Sequence, residues 1–202
     1  DVCRFPEIMN LPQYYQKQAY TFNPNNLPSF VNAPGPWGRL GGLQYQVGGT
    51  FVYGDYLQIP LGGPGRNPWI EFKTPLIVKG KYKVWICYRT AKQSGSSINI
   101  NQISIDGVPL QRTMDFTEYM PTGTDAQMEA QGWKYYTYPT DKNFAGKLVG
   151  TIDIKTTDIH VIRFTTLQGS QDYNRLDMIQ FIPIDMDQIY PRFDQQGNPH
   201  YQ

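Results

Sequence analysis

Lys79-Gly80-Lys81-Tyr82-Lys83-Val84-Trp85-Ile86-Cys87-Tyr88-Arg89 decides the fold class. Lys79-Gly80 predicts a turn, and an alternating run follows it. Tyr82, Val84, Ile86 and Tyr88 fall on one face, and Lys81, Lys83 and Arg89 on the other. Successive side chains of a strand point to opposite faces, so the stretch predicts a strand with one face on a core. Its polar face also carries Trp85 and Cys87.

Working outward, the same grammar repeats. Upstream, Phe51 to Ile59 is aromatic and β-branched and ends at Pro60. Residues 61–68 are a loop by composition, and Trp69 to Phe72 is a short strand that stops at Pro75. Downstream, Ile98 to Ile105 closes on Asp106-Gly107, a hairpin signal. Residues 111–132 read as a longer polar loop with Met114, Met120 and Met128, and with a short helix over 125–131. Trp133–Tyr138, Gly150–Ile154, His160–Leu167 and Leu176–Ile184 are predicted strands, and Pro191 is expected to end regular structure. No window keeps a helical period. Many short strands with turn signals and no alternating helices predict an all-β chain, an antiparallel β-sandwich of jelly-roll type.

The organisation follows from that pattern. Residues 1–46, rich in Pro and aromatics, form an N-terminal strap or the end of a preceding domain. Residues 47–187 form the sandwich, and 188–202 a C-terminal tail. The chain opens at Asp1 with no Met and no signal peptide, as a piece of a longer secreted protein would.

Composition narrows the function. Of 202 residues, 17% are charged and 14% aromatic, and the net charge is +1. That gives no basic field for nucleic acid. No apolar run approaches the roughly 18 residues of a transmembrane segment. Two histidines, His160 and His200, leave little room for a triad or an imidazole metal cage. Of the two cysteines, Cys87 reads as a buried apolar residue, with a Cys3–Cys87 disulfide as the alternative in an oxidising compartment.

Three constellations remain. Glycoside hydrolysis needs two facing acids, yet Glu7, Glu71, Glu118 and Glu129 show no spacing that pairs them. Asp172, Asn174, Asp177, Asp185 and Asp187 are oxygen donors for a structural calcium, without an EF-hand spacing. Sugar rings present apolar C–H faces that match aromatic planes, with amides and carboxylates fixing the hydroxyls. Trp133 at a loop-to-strand junction, and Asp172, Tyr173 and Asn174 in the 169–175 loop, supply those groups.

Four pieces in order also carry a resemblance. Trp69 to Pro75 followed by Lys79 to Trp85, then Ile103-Ser104-Ile105-Asp106-Gly107, Gln131-Gly132-Trp133, and Asn174 to Phe181 are similar to the hairpins and closing strand of galactose-binding-like β-sandwiches. Carbohydrate-binding modules of families six and thirty-five share them. Trp69 to Arg89 with Ile189 to Phe193 also resembles an uncharacterised domain of gut Bacteroidetes surface proteins that often follows fasciclin-type domains.

The resemblance implies a non-catalytic glycan-binding module of a secreted or surface lipoprotein. It would bind oligo- or polysaccharide and contact neighbouring domains of its own polypeptide. The motif maps the site to Trp133 and Asn174, with a second aromatic from Tyr53 or Tyr56. The families' N-terminal acid that helps hold calcium has no counterpart here. The alternative is a structural or cell-adhesion domain without a small ligand.

Overall fold

In the computed structural model the described residues are 2–3, 19–22, 31–32, 44–47, 51–52, 55–59, 61, 68–90, 98–169, 174–186 and 191–201. Five short strands come first: β1 (Val2–Cys3), β2 (Ala19–Phe22), β3 (Val31–Asn32), β4 (Gln44–Val47) and β5 (Asp55–Ile59). The long strands follow as β6 (Trp69–Ile77), β7 (Gly80–Arg89), β8 (Asn99–Ile105) and β9 (Val108–Asp115). A short helix α1 (Asp125–Ala130) leads to β10 (Trp133–Tyr135), β11 (Phe144–Ile154), β12 (Asp158–Gly169) and β13 (Asn174–Pro183). β14 (Arg192–Phe193) and β15 (Pro199–His200) close the chain.

Thirteen of these strands form two facing sheets, and β14 pairs with β15. One has eight strands in the order β1-β2-β13-β7-β11-β10, with β5 pairing β13 and β4 pairing β5. The other has five, in the order β3-β6-β12-β8-β9. Pairing is antiparallel except between β1 and β2. The chain is an antiparallel jelly-roll β-sandwich.

β7 is central in its sheet and buried on both faces over Val84–Tyr88. Tyr82, Val84, Ile86 and Tyr88 enter the core between the sheets with Ile70, Ile103, Phe164, Ile179 and Phe181. Each such side chain contributes about 1.5–3 kcal/mol by leaving water. Tyr82 donates its buried hydroxyl to the Val78 carbonyl at 2.6 Å, and Tyr88 to that of Glu118 at 2.6 Å.

The reading of the opposite face as polar needs correction. Trp85 and Cys87 are 1% and 0% exposed. Phe51, Val52, Tyr136, Phe144, Met178 and Phe193 form a second apolar layer over Cys87. The physical reason is that segments distant in sequence fold over this sheet, which alternation within one strand does not report. A bulge between Leu176 and Met178 serves both layers. It turns Leu176 and Ile179 inward while Met178 faces the outer layer.

Other expectations shift. The 111–132 segment is not a polar loop, because β9 runs to Asp115 and Met114, Met120 and Met128 are all core residues. Among the described residues of 51–59, Asp55–Ile59 is strand and Phe51-Val52 is not. Regular structure continues past Pro191 as the β14–β15 hairpin, which joins the sandwich through a Thr137–Phe193 bridge. Cys87 is a buried free thiol, and the side chain of Cys3 lies outside the described residues.

Candidate functional site

Trp133 is positioned by a helix cap. Thr124 opens α1 with a capping box: its hydroxyl accepts from Gln127 N at 3.3 Å, and the Gln127 side chain accepts from Thr124 N at 3.0 Å. Gly132 closes the helix at a φ of 84°, a conformation glycine adopts freely. Its N–H donates to the Glu129 carbonyl at 2.9 Å. The chain then enters β10 with Trp133 turned inward. The Gln131-Gly132-Trp133 signal is thus explained by a helix stop followed by a core strand.

Trp133 is 5% exposed and belongs to the core between the sheets. The Lys147 ammonium lies 4.6 Å from its ring centroid and pairs with the Glu118 carboxylate. The ring therefore has a cation on one side and core around it. It does not face solvent as a stacking platform would.

Asn174 opens β13 opposite Ile59 of β5. It is fully buried, and neither its Oδ1 nor its Nδ2 has a hydrogen-bond partner among the described residues. The structure does not bring it to Trp133 as two walls of one cleft, since Trp133 sits against Lys147 on β11. Tyr53, Asp172 and Tyr173 lie outside the described residues. Tyr56 is half-buried and stacks on Phe51 with ring centroids 4.2 Å apart.

The polar groups of this end are mostly occupied by each other. Asn99 Nδ2 donates to the Leu61 carbonyl at 2.8 Å, and Asn101 Nδ2 to Asn99 Oδ1 at 2.5 Å. Asp115 Oδ1 accepts from the N–H groups of Asn99 and Thr117 and from the Thr117 hydroxyl. This ladder pins Leu61 into the core and holds the sheet ends together.

The carboxylates face donors and cations. Glu71 Oε1 takes Arg163 at 2.7 Å, and that guanidinium stacks 4.1 Å from the Trp69 centroid. Asp177 Oδ2 accepts from the Tyr136 hydroxyl at 2.9 Å and from Val52 N at 3.1 Å. Directed at donors, Asp177 is a poor calcium ligand. Among the described residues no group of three or more His, Cys, Asp or Glu is placed to hold a metal.

Beneath the outer layer, Lys134 Nζ donates to Gln180 Oε1 at 2.5 Å and lies 4.7 Å from the Trp85 ring centroid. Burial pulls the Lys134 amine down to about 8, against the opposing pull of Cys87 and Glu129. Burial likewise pushes the Cys87 thiol up to about 12. Such a thiol is inert.

Among the described residues the exposed rings are Tyr119, Tyr138 and Tyr201, and the strand reading of 133–138 missed the second. Tyr138, 49% exposed, stacks on His200 of β15 with centroids 3.9 Å apart. Its signal was Tyr138-Pro139, which ends strand pattern, together with a turn-rich Gln195-Gln196-Gly197-Asn198 in the presumed tail.

No family model matches the chain, and no curated protein does. Among solved structures, the chain is similar to a family 35 carbohydrate-binding module from Clostridium thermocellum. The two are 12% identical with a TM-score of 0.50, over 80% of this chain and 97% of the module. It is also similar to part of an exo-β-1,3-galactanase from Phanerochaete chrysosporium, at 14% identity and a TM-score of 0.46, over 80% of this chain and 28% of that one. The first likeness agrees with the sandwich fold.

Proposed function

We propose that the chain is a non-catalytic glycan-binding module of a secreted or cell-surface bacterial protein. One observation carries the reading. Asn174, at the first position of β13, keeps a fully buried amide whose two polar atoms have no partner among the described residues. Each unmade bond there costs about 1–3 kcal/mol, a cost expected where a ligand's hydroxyls supply the missing partners. The position is the one that the resemblance to family six and thirty-five modules implies for a sugar-binding amide. Non-catalytic binding is supported by Glu71 and Glu118, each of which faces a cation rather than a second acid. The sequence resemblance to gut Bacteroidetes surface proteins supports a place after fasciclin-type domains in a lipid-anchored polypeptide.

A glycan array followed by calorimetry tests this. Asn174→Ala abolishes binding of the glycan found. Trp133→Phe, a change in the core, lowers the melting temperature and leaves affinity within twofold. Binding untouched by Asn174→Ala overturns the site. A chain that binds no glycan overturns the function and favours a structural or adhesion domain. That second reading is supported by Trp133, whose burial leaves no exposed ring at the position the motif assigned.

A further inference from the structure

The C-terminal hairpin and Tyr138 border a shallow, open recess of about 260 Å³, lined by Tyr138, Pro139, Asp194, Gln195, Gln196 and His200. From this geometry we infer a second saccharide site, built for one neutral pyranose ring and separate from Asn174.

The loop is built around one carboxylate. Asp194 Oδ1 accepts from Gln196 N at 3.0 Å and Asn198 N at 2.8 Å. Its Oδ2 accepts from Asn198 Nδ2 at 3.0 Å and faces His200 Nε2 at 3.1 Å. Gly197, at a φ of 81°, closes the turn with its N–H on the Asp194 carbonyl. A carboxylate offers about four acceptor positions, so Asp194 is saturated by its own loop. It is a positioning residue.

The hairpin is fixed to the sandwich by three contacts. Phe193 is buried in the outer layer, and its carbonyl accepts from Tyr138 N at 2.7 Å. Arg192 Nη2 binds Asp125 Oδ2 at 2.7 Å. His200, tied to Asp194 through Nε2, lies flat on Tyr138 at an interplanar angle of 11°. Two rings are therefore locked as a pair, and they remain 49% and 37% exposed.

The groups left for a ligand are neutral. The Gln195 and Gln196 amides and the Tyr138 hydroxyl line the recess without a hydrogen bond to any described residue. Amides offer both donors and acceptors, as sugar hydroxyls require. The exposed ring pair offers an apolar plane for C–H faces. Hydrogen bonds from Asn198, with those from His200 and Gln196, hold the Asp194 carboxyl down to about 2, so its charge repels an acidic sugar. No Lys or Arg side chain lines the recess to offset it. The volume falls just under the roughly 300–1,000 Å³ of drug-sized sites, which suits one ring rather than a chain.

Galactotriose, xylotriose, cellotriose and glucuronate are titrated into the ¹⁵N-labelled chain. A neutral sugar is expected to shift the amides of residues 194–200. Tyr138→Ala weakens it about tenfold, equivalent to about 1.4 kcal/mol. Gln196→Ala, at the exposed loop tip, weakens it without changing the melting temperature, which separates binding from folding. Asn174→Ala leaves these shifts in place, so loss of the first site and loss of this one are told apart. The inference is overturned if no neutral sugar moves residues 194–200, if Tyr138→Ala folds and binds as the parent does, or if glucuronate binds more tightly than every neutral sugar.

Discussion

Asp177 offers a sharp test of how the outer layer is held. Its buried Oδ2 accepts from the Tyr136 hydroxyl and from Val52 N, so one carboxylate joins β13, the segment after β10 and the 51–52 turn. Burial pushes the Tyr136 hydroxyl well above the usual phenol range, with the Asp177 charge adding to the effect, so it remains a donor at any working pH. A hydrogen bond to a charged group contributes about 1.5–3 kcal/mol. Tyr136→Phe removes one such bond and costs about 2 kcal/mol. Asp177→Ala strands two buried donors and costs about 3–5 kcal/mol. Urea unfolding of both single variants and the double variant closes a cycle with an expected coupling of about 1.5 kcal/mol. The Val52 amide should also lose protection from hydrogen exchange in Asp177→Ala but not in Tyr136→Phe. A coupling under about 0.5 kcal/mol, or unchanged Val52 exchange, would refute the tether.

Two further outcomes follow, one from the buried Cys87 and one from the exposed turn residue Asp106. The Cys87 thiol is expected to react with a disulfide reagent only at the rate of unfolding. Its pKa, raised from 9.0 to about 12 by burial, makes it protonated in the folded chain where the unfolded chain ionises. Its contribution to stability is therefore complete below about pH 9 and is lost between about 9 and 12, so Cys87→Ala should lose less stability than the parent over that range. At the β8–β9 turn, Asp106 sits at a φ of 50°, with Oδ1 accepting from Val161 N at 2.9 Å and Oδ2 facing His160 Nδ1 at 2.5 Å. Asp106→Ala should cost about 1–3 kcal/mol in thermal or urea unfolding, and Asp106→Asn less, because Asn tolerates the left-handed region. Equal losses for the two would discard that account.

The motifs were legible in unequal ways. Asp106-Gly107 was read as a hairpin, and both residues do take positive φ, because that turn demands it locally. The helix over 125–130 was legible from propensity, and its capping box confirms why it starts at Thr124. Gln131-Gly132-Trp133 was legible as a signal but not in its meaning. A glycine and an aromatic at a strand opening serve a helix cap and a core as readily as a sugar site. Only the neighbours of the ring decide between them, and here they are core residues and Lys147.

Sequence alone carried the local alphabet: strands where aromatic and β-branched residues alternate, and turns where glycine and aspartate meet. Those features depend on residues within a few positions of each other. Tertiary structure alone decided that the centre of β7 is covered on both faces, since Phe51, Tyr136 and Phe193 reach Cys87 from far along the chain. It also decided that Asn174 is buried without a partner among the described residues and that Tyr138 is exposed beside His200. Burial and stacking belong to pairs of residues, and alternation along one strand carries no record of what will be folded over it.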